Sequence, residues 1–398
     1  MYTWNENVSG LICLRCERVY EVGDYATGCP DCLQAGFPVS LALQYKQVDL
    51  KQDHKATGLM NYKAMLPYQT FPTLGEGATP LLALDTLAQE LGLGRLSLKN
   101  EGQNPTGSHK DRMSPLAVAR AASSGFDTVV AASTGNQGTS LAAYAARAGL
   151  RCVVVVTQSV NPIWLQAMIQ TGAQLVAVNQ AKDRWAYIKE RVCEDGWFPV
   201  TNYIDPPVGS NPYGVQGYKT LAYELVEQCD PSPTVIVVPT SRGDLLWGIW
   251  EGLKEAHRAG MLTELPRMVA VEPFPRLQAV QNGMDYRQNF AGESSLLPSI
   301  SGTTVTYQAL QVLQQSQGLA VAVSGEEAER AQVRLGQEGL YLERSSATVL
   351  TAVEKLVQEK RIGADDRVVM IGTSNGYKEM TLREPYTSYL LEPESSGN

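Results

Sequence analysis

The sequence predicts an α/β fold of two open, largely parallel-sheet lobes, preceded by a small N-terminal ribbon built on four cysteines. Three observations carry this. Short apolar runs alternate with helical stretches from Leu116 onward, glycine-rich and polar turns follow the apolar runs, and two C-x2-C knuckles stand near the N-terminus. Such alternation is the mark of βαβ units, which lay helices against a parallel sheet. The 398 residues suffice for one large or two medium domains, and the even spread of Gly and Pro argues against a long disordered half.

Residues 1–40 contain Cys13-Leu-Arg-Cys16 and Cys29-Pro-Asp-Cys32, separated by twelve residues. This is knuckle spacing for tetrahedral zinc. With no histidine nearby, the ligand set is Cys13, Cys16, Cys29 and Cys32. Two disulfides are the rival reading, disfavoured in a reducing cytoplasm. Four thiolates leave no open coordination position, so the site is expected to brace the ribbon and take no part in catalysis. Cys152, Cys193 and Cys229 lie in apolar or helical contexts and read as structural.

The run Phe71-Pro-Thr-Leu-Gly-Glu-Gly-Ala-Thr-Pro80 marks a loop. Beyond it, strands are expected at 128–132, 152–157 and 174–178, with helices near 138–148 and 162–170. A second series has strands near 234–238, 268–271, 319–323 and 367–371 and a helix at 326–338. Two lobes follow: a large domain from 41–114 and 182–385, and a smaller mobile one from 115–181. Residues 386–398 are expected to form a flexible tail, and the Ser- and Thr-rich stretch 290–307 a mobile or substrate-facing loop. In open sheets of this kind, ligands gather at the carboxyl ends of the strands.

A net charge of −8 without a long basic stripe argues against a nucleic-acid partner. The start Met-Tyr-Thr-Trp-Asn-Glu-Asn has neither the basic residues nor the apolar core of a secretory signal. No charge falls between Arg151 and Lys182, yet Gln158, Asn161, Pro162, Gln166 and Gln170 interrupt that stretch too often for a membrane span. The expectation is a cytoplasmic homodimer.

The chemistry centres on Asn104-Pro-Thr-Gly-Ser-His-Lys-Asp-Arg112. Asn104, Pro105 and Gly107 predict a tight turn, and Ser108 an N-cap that places Lys110 in the first turn of a helix. Amides and the positive helix end there favour a neutral amine, which suits a Schiff-base nucleophile. By spacing alone, a solvated charge cluster is the competing reading. The letters resemble the lysine motif of pyridoxal-phosphate enzymes of the tryptophan-synthase-β fold, fold type II. Asn-Pro-Thr-Gly-Ser-x-Lys-Asp-Arg resembles the threonine synthase branch, and the 71–80 loop resembles that family's Leu-Gly-Glu-Gly-x-Thr-Pro-Leu.

The resemblance implies roles residue by residue. Lys110 would carry pyridoxal 5′-phosphate. Ala132-Ser-Thr-Gly-Asn-Gln-Gly138 resembles the family's asparagine loop, which gives Asn136 to the cofactor's phenolic oxygen and Ser133, Thr134 and Gln137 to the substrate carboxylate. Val368-Val-Met-Ile-Gly-Thr-Ser-Asn-Gly-Tyr-Lys378 resembles the segment whose Thr, here Thr373, faces the pyridine nitrogen. The phosphate loop matches 239–246, where only Gly243 remains of the usual glycines. Ser241, Arg242, Gly243 and Asp244 would bind phosphate, unless Arg242 and Asp244 pair with each other. His109 stands where threonine synthases have Phe and matches the Ala-His-Lys pattern of tryptophan synthase β chains, which places it beside the phosphate. Asn211-Pro-Tyr-Gly-Val-Gln-Gly-Tyr-Lys-Thr220 keeps the substrate-contacting Asn211, but Gly214 and Gln216 replace the family's Arg and Glu. The implied reaction is elimination or replacement on a small amino acid, O-phosphohomoserine to L-threonine. The alternative is β-replacement or β-elimination on serine, phosphoserine or a relative, in the manner of cysteate synthases and ammonia-lyases.

Overall fold

In the computed structural model, residues 2–53, 55–133, 135–158 and 160–379 are described, and the expected tail at 386–398 lies outside them. The ribbon holds β1 (Val8–Cys13), β2 (Val19–Tyr20) and β3 (Leu41–Tyr45) in an antiparallel sheet of order β2-β1-β3. The chain then lays down β4 (Leu81–Ala83) and β5 (Arg95–Asn100) before crossing to the smaller lobe. There β6 (Thr128–Ala132), β7 (Arg151–Thr157), β8 (Gln174–Val178) and β9 (Phe198–Pro199) form a parallel sheet of order β8-β7-β6-β9. It returns for β10 (Val235–Pro239), β11 (Arg267–Glu272), β12 (Leu319–Ala322) and β13 (Arg367–Gly372).

The larger sheet runs β12-β11-β10-β13-β5-β4, parallel except for the edge strand β4. Its central strands read as continuous apolar runs, such as Val-Ile-Val-Val in β10, because helices cover both faces. Two sheets extend beyond the bounds that composition suggested. β3 pairs with β1, carrying the ribbon sheet past residue 40, and β9 pairs with β6, carrying the smaller sheet past residue 181. Backbone pairing ends a sheet, and composition does not report it.

The strand order places the site. β10, β13 and β5 are neighbours, and their carboxyl ends run into the 240–244 loop, the Thr373 turn and the Lys110 turn. Ser108 pairs with Ser374 as an antiparallel bridge, and the His109 amide donates to the Thr373 carbonyl at 2.9 Å. Here the structure corrects the expected cap. Ser108 is extended, its hydroxyl makes no capping bond, and His109–Arg112 is a single 3-10 turn that precedes the helix Ser114–Ser123. The bridge to Ser374 holds Ser108 in a strand-like conformation. The turn at Asn104–Gly107 forms as expected, with the Gly107 amide on the Asn104 carbonyl at 2.8 Å and Gly107 at φ +81°.

Beneath that turn lies a fully buried ion network. The Arg112 guanidinium donates through Nε and Nη2 to Glu101, both at 2.7 Å, and through Nη1 and Nη2 to Glu224 at 2.7 and 2.8 Å. Lys99 on β5 donates to Glu224 at 2.6 Å and to the Thr79 carbonyl at 2.6 Å. Two cations face two carboxylates, with forked geometry on the arginine. Removing one partner leaves a buried charge uncompensated. Arg112→Met should therefore lower stability by about 3–5 kcal/mol, read as a shift in the urea midpoint; a change below about 1 kcal/mol would show that the network is not structural.

Candidate active site

The two sheets face each other across a cavity of about 560 Å³, and Lys110 stands in its wall. Its Nζ donates to the Tyr218 hydroxyl at 3.2 Å. Burial pulls the amine below the ordinary lysine pKa; the Asp244 carboxylate opposes this and the Arg242 charge adds to it. A lysine so placed spends more of its time as a free amine, the nucleophilic form. Its neighbour Asp111 accepts the Thr106 amide and hydroxyl, both at 2.6 Å, while burial pushes its carboxyl up to about 6.

Across the cavity, β6 ends in Ser133 and the helix Asn136–Ala148 begins. The Ser133 hydroxyl accepts the amides of Gly135 and Gly138 at 3.2 and 2.9 Å, closing the turn. Asn136 is gripped at both ends of its amide. Lys378 Nζ donates to Oδ1 at 2.5 Å, and Nδ2 donates to Glu343 at 2.8 Å, leaving its second hydrogen only a long 3.4 Å contact to Ser299. That hydrogen is available to a ligand oxygen. Gln137 donates to Ser114, and its Oε1 is buried without a partner among the described residues. Thr134 lies outside the described residues.

The third wall is the loop after β10. Gly243 adopts φ +88° and opens the helix Asp244–Arg258, where a Cβ would meet the Ala309 Cβ at 2.5 Å. Glycine alone suits both constraints. The Ser241 hydroxyl donates to the Ser301 carbonyl. Arg242 and Asp244 do not pair. The Asp244 oxygens accept the Ser210 amide and hydroxyl and Gln308, while the Arg242 guanidinium lies over the Trp185 ring at 4.9 Å with its Nε unpartnered. Burial lowers Arg242 to about 10, against the pull of Asp244, and Arg184 contributes repulsion. The first-turn amides of this helix and the arginine thus share one corner of the cavity, an arrangement that could receive an anion.

Lys110, His109, Ser133, Asn136, Gln137 and residues 241–244 all line this one cavity. Thr373 and Asn211 do not. Thr373 lies behind His109, with its hydroxyl against Ser346 at 2.6 Å, and Asn211 caps the turn Pro212–Val215 by accepting the Tyr213 and Gly214 amides. His109 Nδ1 meets the Thr373 carbonyl at 3.1 Å, and burial followed by the Lys110 charge drives its pKa well below that of free histidine. The ring is therefore a neutral Nδ1–H tautomer whose Nε2 accepts, and it brings no charge to an anion. Gly214 packs on the helix Ser114–Ser123, where a Cβ would meet Met113 Cγ at 2.9 Å.

Sequence reasoning missed Tyr218, Glu343, Ser299, Arg184 and Trp185. Lys378 and Tyr218 stand inside the 368–378 and 211–220 motif segments and Ser299 inside the 290–307 loop, but their letters assign them no role. Glu343 sits at the start of the helix Arg344–Gln358 and reads locally as an ordinary helix-entry carboxylate. Its role depends on Asn136, far away in the chain.

The N-terminal cluster is equally definite. The sulfurs of Cys13, Cys16, Cys29 and Cys32 lie within 4.8 Å of one another, with Cys13 to Cys32 at 3.6 Å and Cys16 to Cys29 at 3.7 Å. A tetrahedron with metal–sulfur bonds of about 2.3 Å has edges of about 3.8 Å. The four could hold a metal ion. Ribbon contacts reach both lobes: Asp24 pairs with Arg120 at 2.7 Å, and the Gly36 carbonyl accepts Arg287 at 3.1 Å.

Residues 72–374 match the family described as pyridoxal-phosphate dependent enzymes, and the chain belongs to that family. Within it the chain is threonine synthase-like. It is 31% identical over 384 residues to the threonine synthase of Methanocaldococcus jannaschii, covering 92% of each chain. It is 32% identical over 326 residues to that of Halalkalibacterium halodurans, covering 81% of this chain and 89% of the relative. The solved L-serine ammonia-lyase of Rhizomucor miehei superposes with a TM-score of 0.64 at 21% identity, covering 77% of this chain and 95% of the other, and shares the type II fold.

Gly243→Ala tests the anion corner. A left-handed non-glycine residue costs about 1–2 kcal/mol, so affinity for pyridoxal phosphate should fall roughly tenfold or more, read by titrating visible absorbance. Unchanged affinity would mean that the loop does not hold the phosphate.

Proposed function

We propose that Lys110 is the lysine that holds pyridoxal phosphate, and that the enzyme converts O-phosphohomoserine to L-threonine. Elimination or replacement on an amino acid is the class of reaction the relatives support. The observation that carries the site assignment is the Lys110 amine facing the cavity between the Asn136 turn and the 241–244 corner. The residues fit the cofactor: Lys110, Asn136 and Arg242 line the cavity, Asn136 Nδ2 keeps a hydrogen with only a long contact, and Gly243 lets the helix-opening amides approach.

When bound, the cofactor supplies an electron sink that acidifies the α-proton of an amino acid. The residues of this chain do the rest. Lys110 takes and returns the proton at Cα as base and then acid. Asn136 Nδ2 donates to the phenolic oxygen, while Ser133, Gln137 and the amides of the helix Asn136–Ala148 receive the substrate carboxylate. The amides and side chains of 241–244 take the cofactor phosphate, with Arg242 as the charged partner.

The side-chain phosphate of the substrate has its own support. Arg184 and Arg242 both line the cavity, Arg242 over the Trp185 ring, and neither has a carboxylate salt-bridge partner among the described residues. With Arg242 committed to the cofactor phosphate, the Arg184 guanidinium is the charged partner for this second anion. The experiment is to incubate the cofactor-loaded protein with O-phosphohomoserine and measure phosphate and the amino-acid product by mass spectrometry. Phosphate together with threonine is expected. No turnover, with cofactor absorbance intact, would reject this substrate in favour of a serine-derived one. Arg184→Ala is expected to raise KM roughly tenfold to a hundredfold with less change in kcat, since a charge-assisted bond is worth about 1.5–3 kcal/mol.

The four-cysteine cluster is proposed to hold structural zinc in a cytoplasmic protein, consistent with free, closely set thiols. Elemental analysis should find zinc equimolar with the chain, and Cys13→Ser should lose it together with thermal stability. A metal-free wild type of equal stability would contradict this.

A further inference from the structure

We propose that the Tyr218 hydroxyl is a catalytic partner of Lys110, a switchable hydrogen bond that accepts from the amine when it is charged and donates to it when it is neutral. This rests on the reading of Lys110 as the working lysine.

Tyr218 ends the turn Gln216–Tyr218 and is fully buried. Its hydroxyl lies 3.2 Å from Lys110 Nζ and 3.5 Å from the Met113 sulfur. The ring is held on two sides. The His109 ring lies tilted against it at 5.6 Å between centroids, and Gly248 lies so close that a Cβ there would come within 2.4 Å of the tyrosine Cβ. Burying a hydroxyl whose only other partner among the described residues is a thioether gains little stability, since a phenylalanine would fill the same space.

The charged groups around Lys110 single out this hydroxyl. Asp244, from the next helix, supplies a favourable field, but Ser210 and Gln308 occupy its oxygens. Arg242 on the same loop is repulsive, and His109 beside it is neutral. Asp111 is tied to Thr106, and Glu101 and Arg112 are closed into the network beneath. Among the described residues, Tyr218 is thus the side chain in hydrogen-bond contact with the Lys110 amine. Burial, followed by the carboxylates of Asp244, Asp111 and Glu101, holds the phenol well above its ordinary pKa, so it stays protonated and does not itself act as the base.

The step balances without any change at Tyr218. The amine lone pair takes the proton from substrate Cα and becomes an ammonium, one of whose N–H bonds points at the phenol oxygen. When the proton is returned to carbon, the lone pair reappears and the phenol O–H rotates to meet it. No bond to tyrosine is made or broken.

The test is competitive acetylation of cofactor-free protein across pH, with the Lys110 peptide quantified by mass spectrometry. A hydrogen bond to the charged amine outweighs one to the neutral form by an amount worth about one pH unit. Tyr218→Phe should therefore lower the Lys110 midpoint by about one unit. In the loaded enzyme it should cut turnover at least tenfold while leaving cofactor absorbance in place. Gly248→Ala, whose Cβ would press on the Tyr218 Cβ, should move the midpoint the same way, and thermal melting of both variants separates a lost contact from a folding defect. An unmoved midpoint in both variants overturns the proposal. The parent reading fails separately: added pyridoxal phosphate must protect Lys110 from acetylation in the wild type, and labelling that ignores the cofactor would remove Lys110 from the site altogether.

Discussion

The Arg112 guanidinium is the constraint on which the site depends. It lies two residues after Lys110 and is clamped by Glu101, on the turn after β5, and Glu224, on the helix Lys219–Gln228. Tyr218 immediately precedes that helix, and Ser374, the bridge partner of the lysine turn, follows β13, the neighbour of β5. A four-residue 3-10 turn has too few internal hydrogen bonds to hold a shape alone. The forked bonds of one arginine fix it from below, and the Ser108–Ser374 bridge fixes it from the side. His109 and Lys110 are left as the residues of the turn that line the cavity. Burying four charges is expensive and is sustained by near-complete pairing, so the network trades tolerance for position.

The second constraint is topological. β13, drawn from the far end of the chain, inserts between β10 and β5 and brings three strand ends together. One crevice then collects an amine, an amide side chain and the openings of two helices. Lys378 and Glu343 extend this order by gripping Asn136 from both sides, so the smaller lobe meets the larger one through a side chain that is already oriented. The ribbon adds a tie outside the cavity, joining Arg120 and Arg287 through its own loop.

Much of this was legible in the sequence because it is local. Runs such as Thr128–Ala132 and Gln174–Val178, and the helix Pro162–Gln170, fall at the expected residues, since apolar run length and flanking turn residues decide them. The cysteine knuckles and the Lys110 motif were equally plain. What was hidden depends on contacts between distant segments. Ser108 has the letter of a cap and the conformation of a strand because Ser374 pairs with it. Thr373 and Asn211 carry motif letters, yet their side chains are spent on Ser346 and on a helix start. Tyr218 looks like a core aromatic until its hydroxyl is seen against the lysine. The sheet limits at β3 and β9 were missed for the same reason.

The central claim is that one lysine, Lys110, carries the chemistry of this fold. Borohydride reduction of the cofactor-loaded protein, followed by digestion and peptide mass mapping, tests it most directly. The account predicts the reduced pyridoxyl group on the peptide containing Lys110 and nowhere else. Label on Lys378, Lys219 or any other lysine, or a protein that binds the cofactor and yields no labelled peptide, would contradict it.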